Sequence, residues 1–260
     1  MKRTVLAIAN WKMNVSLPDI DRFFKYFSFD AVAPDEVELL FCPSFIGIEK
    51  AAALTRGTRA HVGAQDVYTE EKGAFTGAVS ARQIVDAGCT HVIVGHSERR
   101  RLFGETDELV ARKVQVALTH RLSPIICLGE SFAEKEAGKT KLVVERQVRT
   151  CLGGLRGSDV KKAVVAYEPV WAISTSPDNP GGVADSPESA QVVHKLIRKV
   201  IEELYGESVA SVMRIAYGGS VDAGNVASFT MMDDIDGVLV GSASKEAESF
   251  QKIVSAINKR

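Results

Sequence analysis

The stretch Ala163–Ile173, AVVAYEPVWAI, contains the unit from which the chain is built. Its first part, Ala163–Tyr167, is a short apolar run rich in β-branched residues, and the charged residue Glu168 follows directly. Because polar and apolar residues do not alternate, the run predicts a strand buried on both faces, as in a parallel sheet. Seven similar runs occur along the chain: Val5–Asn10, Val37–Cys42, His61–Ala64, His91–Val94, Ile125–Leu128, Met213–Tyr217 and Gly237–Val240.

The segments between these runs carry helix signals. Ser186 is a capping residue, and Pro187 takes the first helical position. The apolar residues that follow have the spacing of one helix face: Val193, Leu196, Ile197, Val200, Ile201 and Leu204. Strand–helix alternation repeated eight times predicts an α/β fold, a single (β/α)8 barrel domain over residues 1–260. A doubly wound open sheet would alternate similarly, so periodicity leaves both architectures open.

The composition excludes several classes of protein. The chain has 260 residues, 45% hydrophobic and 25% charged, as in ordinary globular proteins. Its net charge is −1, from 32 basic and 33 acidic residues, without the basic face that nucleic-acid binding needs. The basic run Arg99–Arg101 lies between Glu98 and Glu105 and predicts a locally balanced helix start. No apolar run approaches the roughly 20 residues that cross a bilayer, so no membrane partner is predicted.

The cysteine pattern indicates a reducing compartment. The four cysteines are far apart, with no metal-binding or redox spacing: Cys42, Cys89, Cys127 and Cys151. We interpret them as reduced core thiols of a cytoplasmic protein, and we predict neither a metal site nor a cofactor. The apolar run Val5–Ala9 is too short for a signal peptide, which agrees with a cytoplasmic location.

Three polar residues that follow predicted strands are candidates for chemistry, because the active sites of such barrels lie at the carboxyl ends of the strands. Lys12 follows the first run, close to Asn10. His96 stands at the start of a helix, where unpaired N–H groups disfavour a second positive charge, so its ring is expected to be a neutral donor. Glu168 is expected to lose hydration beside Trp171, which suits a general base. Taken singly, a lysine or histidine in such a place is more often solvated or structural, and the glutamate is as often a surface residue as a base.

Glycine-containing turns follow the last two runs, Gly218–Ser220 and Gly241–Ser242. Turns at these two strand ends are typical of a phosphate site built from backbone amides. A cation, a neutral donor, a carboxylate and two such turns at one barrel mouth predict enolisation of a small phosphorylated carbonyl compound.

Seven motifs resemble the triosephosphate isomerase family. They run from the first predicted strand to the seventh, and VGHSERR and AYEPVWAI are the most specific of them. The motifs are Asn10–Asn14 (NWKMN), Gly63–Gln65 (GAQ), Gly73–Gly77 (GAFTG), Val94–Arg100 (VGHSERR), Cys127–Glu130 (CLGE), Ala166–Ile173 (AYEPVWAI) and Tyr217–Val221 (YGGSV).

The resemblance implies a TIM barrel fold and an isomerase of glycolysis and gluconeogenesis. The enzyme would interconvert dihydroxyacetone phosphate and D-glyceraldehyde 3-phosphate through an enediolate. It implies that Glu168 moves the proton between adjacent carbons and that His96 polarises the carbonyl. Lys12 would offset the negative charge, Asn10 would add a hydrogen bond, and Glu98 would support Lys12.

The resemblance also implies the positions of the phosphate site and of a subunit interface. Backbone amides would hold the phosphate near four residues: Ser174, Ser220, Gly241 and Ser242. The loop Gly73–Gly77, with Phe75 and Thr76, would enter a partner subunit and brace Asn10 and Lys12. The chain is therefore expected to be a homodimer with a small-molecule triose phosphate substrate.

The lid after Ile173 departs from the family pattern. It is longer, and serines stand at 174, 176 and 242 where the family has glycines. The resemblance places a first hinge at Pro169, Val170 and Trp171, and we predict a relocated second hinge at Gly181 and Gly182. Serine keeps its backbone N–H, so phosphate binding survives unless these positions need a left-handed backbone.

Two alternative functions follow from the altered lid. The barrel would isomerise a larger phosphorylated carbonyl compound through the enlarged lid, or it would be an inactive binding barrel whose lid has drifted. The joint presence of Asn10, Lys12, His96 and Glu168 counts against the second alternative.

Overall fold

A computed structural model of the protein describes residues 3–30, 37–179 and 184–257. Eight strands form a closed barrel, in which each strand pairs with the next in parallel and the last pairs with the first. The closing pair sets Ala7 opposite Val238. The strands are β1 (Val5–Asn10), β2 (Val37–Cys42), β3 (His61–Ala64), β4 (His91–Val94), β5 (Ser123–Leu128), β6 (Val164–Tyr167), β7 (Arg214–Tyr217) and β8 (Gly237–Val240). The barrel is confirmed, and the open sheet is excluded.

Three strands begin at residues other than those predicted. β5 starts two residues early because Ser123 and Pro124 pair with β4 residues, and a proline is tolerated near a strand start. β6 and β7 each start one residue late. The N–H groups of Ala163 and Met213 donate to Val160 and Val209 instead, and so complete the preceding helical turns.

Helices follow the strands around the outside of the barrel. Within the described residues they are α1 (Leu17–Tyr26), α2 (Ile48–Thr55), α3 (Ala81–Asp86), α4 (Ser97–Phe103), α5 (Asp107–Thr119), α6 (Phe132–Glu136), α7 (Thr140–Leu152), α8 (Gly157–Val160), α9 (Pro187–Tyr205), α10 (Glu207–Ala210), α11 (Val226–Thr230) and α12 (Ala247–Ala256). Ser186 caps α9 by accepting from the Ser189 N–H, as its sequence predicts. Single 3-10 turns lie at Phe45–Gly47, Val170–Ala172 and Ser242–Ser244.

The strands are buried on both faces, as their continuous apolar runs predict. One apolar cluster contains strand residues alone and fills the barrel interior, with Leu6 and Ile8 of β1 among them. Alternate residues, such as Ala7 and Ala9, pack outward against the helices. All four cysteines are free and buried. None of the helices in the described ranges is both long enough and apolar enough to cross a membrane.

Candidate active site

A cavity of about 240 Å³ opens at the carboxyl end of the barrel strands. Its walls come from the ends of β1, β4, β6, β7 and β8 and from the start of the lid. The eight residues predicted for catalysis and phosphate binding all line it: Asn10, Lys12, His96, Glu168, Ser174, Ser220, Gly241 and Ser242. The closed barrel brings them together, because they come from the ends of five strands and from the start of the lid.

Glu168 follows β6 and is almost completely buried. Its Oε2 accepts a hydrogen bond from the Ser97 N–H at 3.0 Å. Its Oε1 lies 3.2 Å from His96 Nε2 but has no hydrogen-bond partner among the described residues. Burial, and then the charge of Glu168, raise the pKa of the neighbouring Cys127 thiol, which therefore stays protonated. The carboxylate is shielded from water, and one of its oxygens is free to accept a proton.

Two glycines leave the room that Glu168 occupies. A Cβ at Gly129 would lie 1.9 Å from the Glu168 carbonyl oxygen, and Gly129 has φ +158°. A Cβ at Gly218 would lie 2.8 Å from Glu168 Cγ. A larger residue at Gly129 would displace the backbone of Glu168, and one at Gly218 would displace its side chain.

His96 is the N-cap residue of α4 and is buried. Its Nδ1 accepts a hydrogen bond from the Glu98 N–H at 3.2 Å. A backbone N–H can only donate, so Nδ1 carries no proton and the neutral ring carries its proton on Nε2. Nε2 is the atom beside Glu168, so a donor and a carboxylate oxygen lie side by side in the cavity.

Lys12 is held at both ends. Its backbone has φ +49°, and its N–H donates to Asn10 Oδ1 at 3.1 Å. Its Nζ donates to Glu98 Oε1 at 2.7 Å and to Thr175 Oγ1 at 3.2 Å. Burial alone would raise the pKa of Glu98, but the hydrogen bond from Lys12, together with the charges around the carboxyl group, outweighs burial, and the pKa is lowered. The pair is therefore an ammonium bound to a carboxylate.

The amides expected to hold phosphate are partly engaged within the protein. The Ser174 N–H donates to Ser220 Oγ at 3.0 Å, and the Ser220 N–H donates to the Ala172 carbonyl at 3.2 Å. Gly241 and Ser242 begin the 3-10 turn after β8. Binding a phosphate through the first two amides therefore requires the start of the lid to move against the turn after β7.

The serines that replace family glycines need no left-handed backbone. Lys12 and Arg121 are the described non-glycine residues with positive φ, so neither Ser174 nor Ser242 is strained in this way. In this conformation the two serines therefore carry none of the strain that a left-handed backbone would impose.

The predicted first hinge has a partner that sequence reasoning missed. Pro169 precedes the 3-10 turn Val170–Ala172, and the indole N–H of Trp171 donates to Glu130 Oε1 at 2.9 Å. The sequence predicts that Trp171 shields Glu168, but in the structure its polar partner is the buried Glu130, which also accepts from the Tyr167 hydroxyl. The sequence signal that could have revealed this contact is the motif Cys127–Glu130, which ends at Glu130. The predicted second hinge, Gly181 and Gly182, lies outside the described residues.

The loop predicted to enter a partner subunit follows β3, and its residues are exposed. Phe75 is 41% exposed, and its ring lies 4.8 Å from that of Tyr68. Thr76 is also exposed. Large apolar side chains are exposed on segments that follow β1, β2 and β4, at the same end of the barrel: Met13, Ile46, Leu102 and Phe103.

Comparison with known proteins agrees with these features. The family model described as triosephosphate isomerase matches residues 5–257. A triosephosphate isomerase of Endomicrobium trichonymphae is 45% identical over 97% of this chain and 98% of its own length. The triosephosphate isomerase of Dictyoglomus thermophilum is 42% identical over 98% of this chain and 100% of its own length. That of Acetivibrio thermocellus is 44% identical over 97% of this chain and 98% of its own length. The chain belongs to the triosephosphate isomerase family.

Proposed function

We propose that this chain interconverts dihydroxyacetone phosphate and D-glyceraldehyde 3-phosphate through an enediolate. The observation that carries the proposal is the short distance between two atoms, one of Glu168 and one of His96. The unpartnered Oε1 of the buried Glu168 lies 3.2 Å from the protonated Nε2 of His96, in a cavity that Lys12 also faces. The names of the relatives support the same reaction.

Glu168 is the general base of this proposal. Its carboxylate takes a proton from C1 of dihydroxyacetone phosphate, and the electron pair of that C–H bond forms the C1–C2 double bond. The carbonyl electrons move to the oxygen on C2, which becomes the enediolate oxygen. His96 gives its Nε2 proton to the oxygen on C2 and takes the hydroxyl proton from the oxygen on C1, whose electrons form the C1 carbonyl. The electrons of the C1–C2 double bond then take the proton of Glu168 at C2, which gives the aldehyde, so one carboxylate serves both directions. The position of Glu168 suits this role, since its Oε1 is buried in the cavity without a hydrogen-bond partner among the described residues.

His96 and Lys12 stabilise the charge that this step creates. The Nε2–H of neutral His96 donates to the developing oxyanion, and the adjacent Asn10 side chain supplies a second polar contact. Donors fixed in advance at such a site contribute strongly, because they need no reorganisation during the reaction. Lys12 supplies the positive charge, and Glu98 holds its ammonium in place.

The phosphate binds at the opposite wall of the cavity. The amides of Ser174 and Ser220 exchange their internal acceptors for phosphate oxygens, and those of Gly241 and Ser242 complete the site. The need to release the contact between Ser174 and Ser220 couples phosphate binding to movement of the lid. We propose the turn at Pro169, Val170 and Trp171 as the first hinge of that movement.

The size of the cavity favours a triose over a larger sugar phosphate. Its volume of about 240 Å³ is below the roughly 300–1,000 Å³ of pockets that hold drug-sized ligands. No observation in the described residues favours the larger substrate.

The remaining expectations belong to the same proposal. We expect residues 1–260 to form one domain of a cytoplasmic homodimer that needs no cofactor. The exposed Phe75 and the apolar residues Met13, Ile46, Leu102 and Phe103 support an interface at the barrel mouth, because exposed apolar surface of this kind marks association sites.

A coupled isomerase assay tests the proposal. The purified chain should convert both triose phosphates, and 2-phosphoglycolate, an anion that resembles the enediolate, should inhibit it competitively. Binding of 2-phosphoglycolate without isomerisation would instead indicate an inactive binding barrel. Greater catalytic efficiency on a longer sugar phosphate would indicate the larger substrate.

A further inference from the structure

Gln65 ends the motif Gly63–Gln65 and has no place in the chemistry above, yet its side chain reaches Lys12. Its Nε2 donates to the carbonyl oxygens of Lys12 and Cys42, each at 2.9 Å. Cys42 ends β2, and its carbonyl also accepts from the Trp11 N–H at 3.1 Å. One amide group of Gln65, placed directly after β3, therefore ties the ends of three adjacent strands together.

The backbone of Lys12 needs such a restraint. Its φ of +49° lies in the left-handed region, which residues other than glycine avoid because Cβ crowds the carbonyl oxygen. A strained residue of this kind persists when the surrounding structure holds it. Asn10 Oδ1 holds the N–H of Lys12, and Gln65 Nε2 holds its carbonyl oxygen. The two contacts fix the peptide groups on both sides of the Lys12 Cα.

Gln65 is itself fixed through the next residue. Asp66 accepts from Lys113 Nζ at 2.5 Å and pairs with Arg99 at 2.9 Å. The same two cations bind Glu105, at 2.5 Å and 2.6 Å. Lys113 and Glu105 are buried, so breaking this four-residue network would leave unpaired charges inside the protein. The loop that carries Gln65 is therefore one of the more rigid parts of the site.

We propose that Gln65 is a positioning residue that holds Lys12 in the left-handed conformation from which its ammonium faces the cavity; this inference rests on the proposed function. The ammonium has three N–H groups, of which two donate to Glu98 and Thr175. One is left for the substrate. When Gln65 cannot donate, the Lys12 backbone leaves the left-handed conformation in some of the molecules. The apparent affinity for a phosphorylated ligand then falls in proportion to the fraction of molecules in which the Lys12 ammonium still faces the cavity.

The test is a double-mutant cycle on the binding of 2-phosphoglycolate, followed by ³¹P NMR titration, which also detects weak binding. Gln65→Ala should weaken binding tenfold or more and raise KM for the triose phosphates. In the Lys12→Met background the same change should alter affinity less than twofold, because no ammonium remains to be positioned. Gln65→Glu keeps the size of the side chain but lacks the donor, so it should behave as Gln65→Ala does.

Gln191→Ala is the matched control. Gln191 also makes two hydrogen bonds, donating to Asp234 Oδ2 at 2.7 Å and accepting from the Asp234 N–H at 3.0 Å, but it lies on α9 and does not line the cavity. We expect it to leave 2-phosphoglycolate affinity unchanged. An equal effect of Gln65→Ala in both backgrounds, or none in the wild type, would overturn the proposal. If Gln65→Ala does not fold, the same outcomes apply to Gln65→Glu.

A second readout is independent of ligand and turnover. In protein whose lysines carry ¹³C-methyl groups, the Lys12 resonance is identified by its loss in Lys12→Met. Gln65→Ala should shift this resonance, and Gln191→Ala should not. An unmoved resonance would overturn the positioning role. A wild-type chain that neither isomerises triose phosphates nor binds 2-phosphoglycolate would contradict the proposed function instead, and the resonance would still report on Gln65.

Discussion

His194, on α9, makes the stability of the barrel depend on pH. It is fully buried between the rings of Tyr167 and Tyr217. Its Nδ1 lies 2.8 Å from the Ala190 carbonyl, to which the ring donates, while its Nε2 is buried without a partner among the described residues. Burial disfavours a second proton, which would charge the ring, more than the neighbouring backbone carbonyls favour it. Burial accordingly lowers the pKa of His194 to about 4, from 6.5.

The sign and the size of the effect follow from linkage. The folded state binds this proton less tightly than the unfolded state, so stability is present above pH 6.5 and is lost as the pH falls toward 4. With pKa values of about 4 and 6.5, the loss between pH 7 and pH 5 is about 2 kcal/mol. Below pH 4 both states are protonated, and the loss levels off at about 3 kcal/mol.

Urea unfolding at pH 7 and pH 5 measures this loss. His194→Gln removes the titrating group, so its free energy of unfolding should fall less between the two pH values, by about 2 kcal/mol, than that of the wild type. The protein concentration must be equal in all samples, because the stability of an oligomer depends on it. His120→Gln, at a half-exposed position, is the control and should behave as the wild type. If His194→Gln loses as much stability as the wild type between pH 7 and pH 5, the reasoning is wrong.

Three further predictions concern catalysis and the hinge. Glu168→Gln should leave 2-phosphoglycolate binding nearly intact and lower kcat by orders of magnitude, since the base is removed; unchanged kcat in steady-state assays would refute its role. Thr175→Val keeps the shape of the side chain and frees an N–H of Lys12, so KM should fall severalfold, and an increase would show that the hydroxyl aids binding. Trp171→Phe leaves Glu130 without its indole donor and should lower the free energy of unfolding by about 1–3 kcal/mol in urea titrations; an unchanged midpoint would contradict that contact.

The barrel could be predicted from the sequence because its strands are local patterns. A continuous apolar run followed by a helix signal specifies a buried parallel strand, and five of the eight runs have the observed bounds. The start of β5 was missed because Ser123 and Pro124 are poor strand formers that the neighbouring strand nevertheless pairs. The shared position of His96 and Glu168 in one cavity followed from the fold, since every strand delivers its next residue to the same rim.

Contacts between distant side chains could not be predicted in this way. Local patterns do not specify that Gln65 binds the Lys12 carbonyl or that Trp171 binds Glu130, because such pairs depend on side-chain conformations and on the paths of two loops. Whether Ser174 tolerates the place of a glycine likewise depends on its φ, which the structure alone provides.

The internal hydrogen bonds that Ser174 and Ser220 make have a practical consequence for engineering. The same amides form the internal hydrogen bonds and bind the phosphate. A substitution that strengthens the internal hydrogen bonds therefore weakens phosphate affinity by the free energy with which it stabilises the internally bonded conformation. Variants selected only for a higher melting temperature would accumulate such changes in this segment. Selection for a higher melting temperature should therefore be combined with a screen for phosphate-ligand binding. Alternatively, the substitutions should be restricted to the amino-terminal ends of the barrel strands.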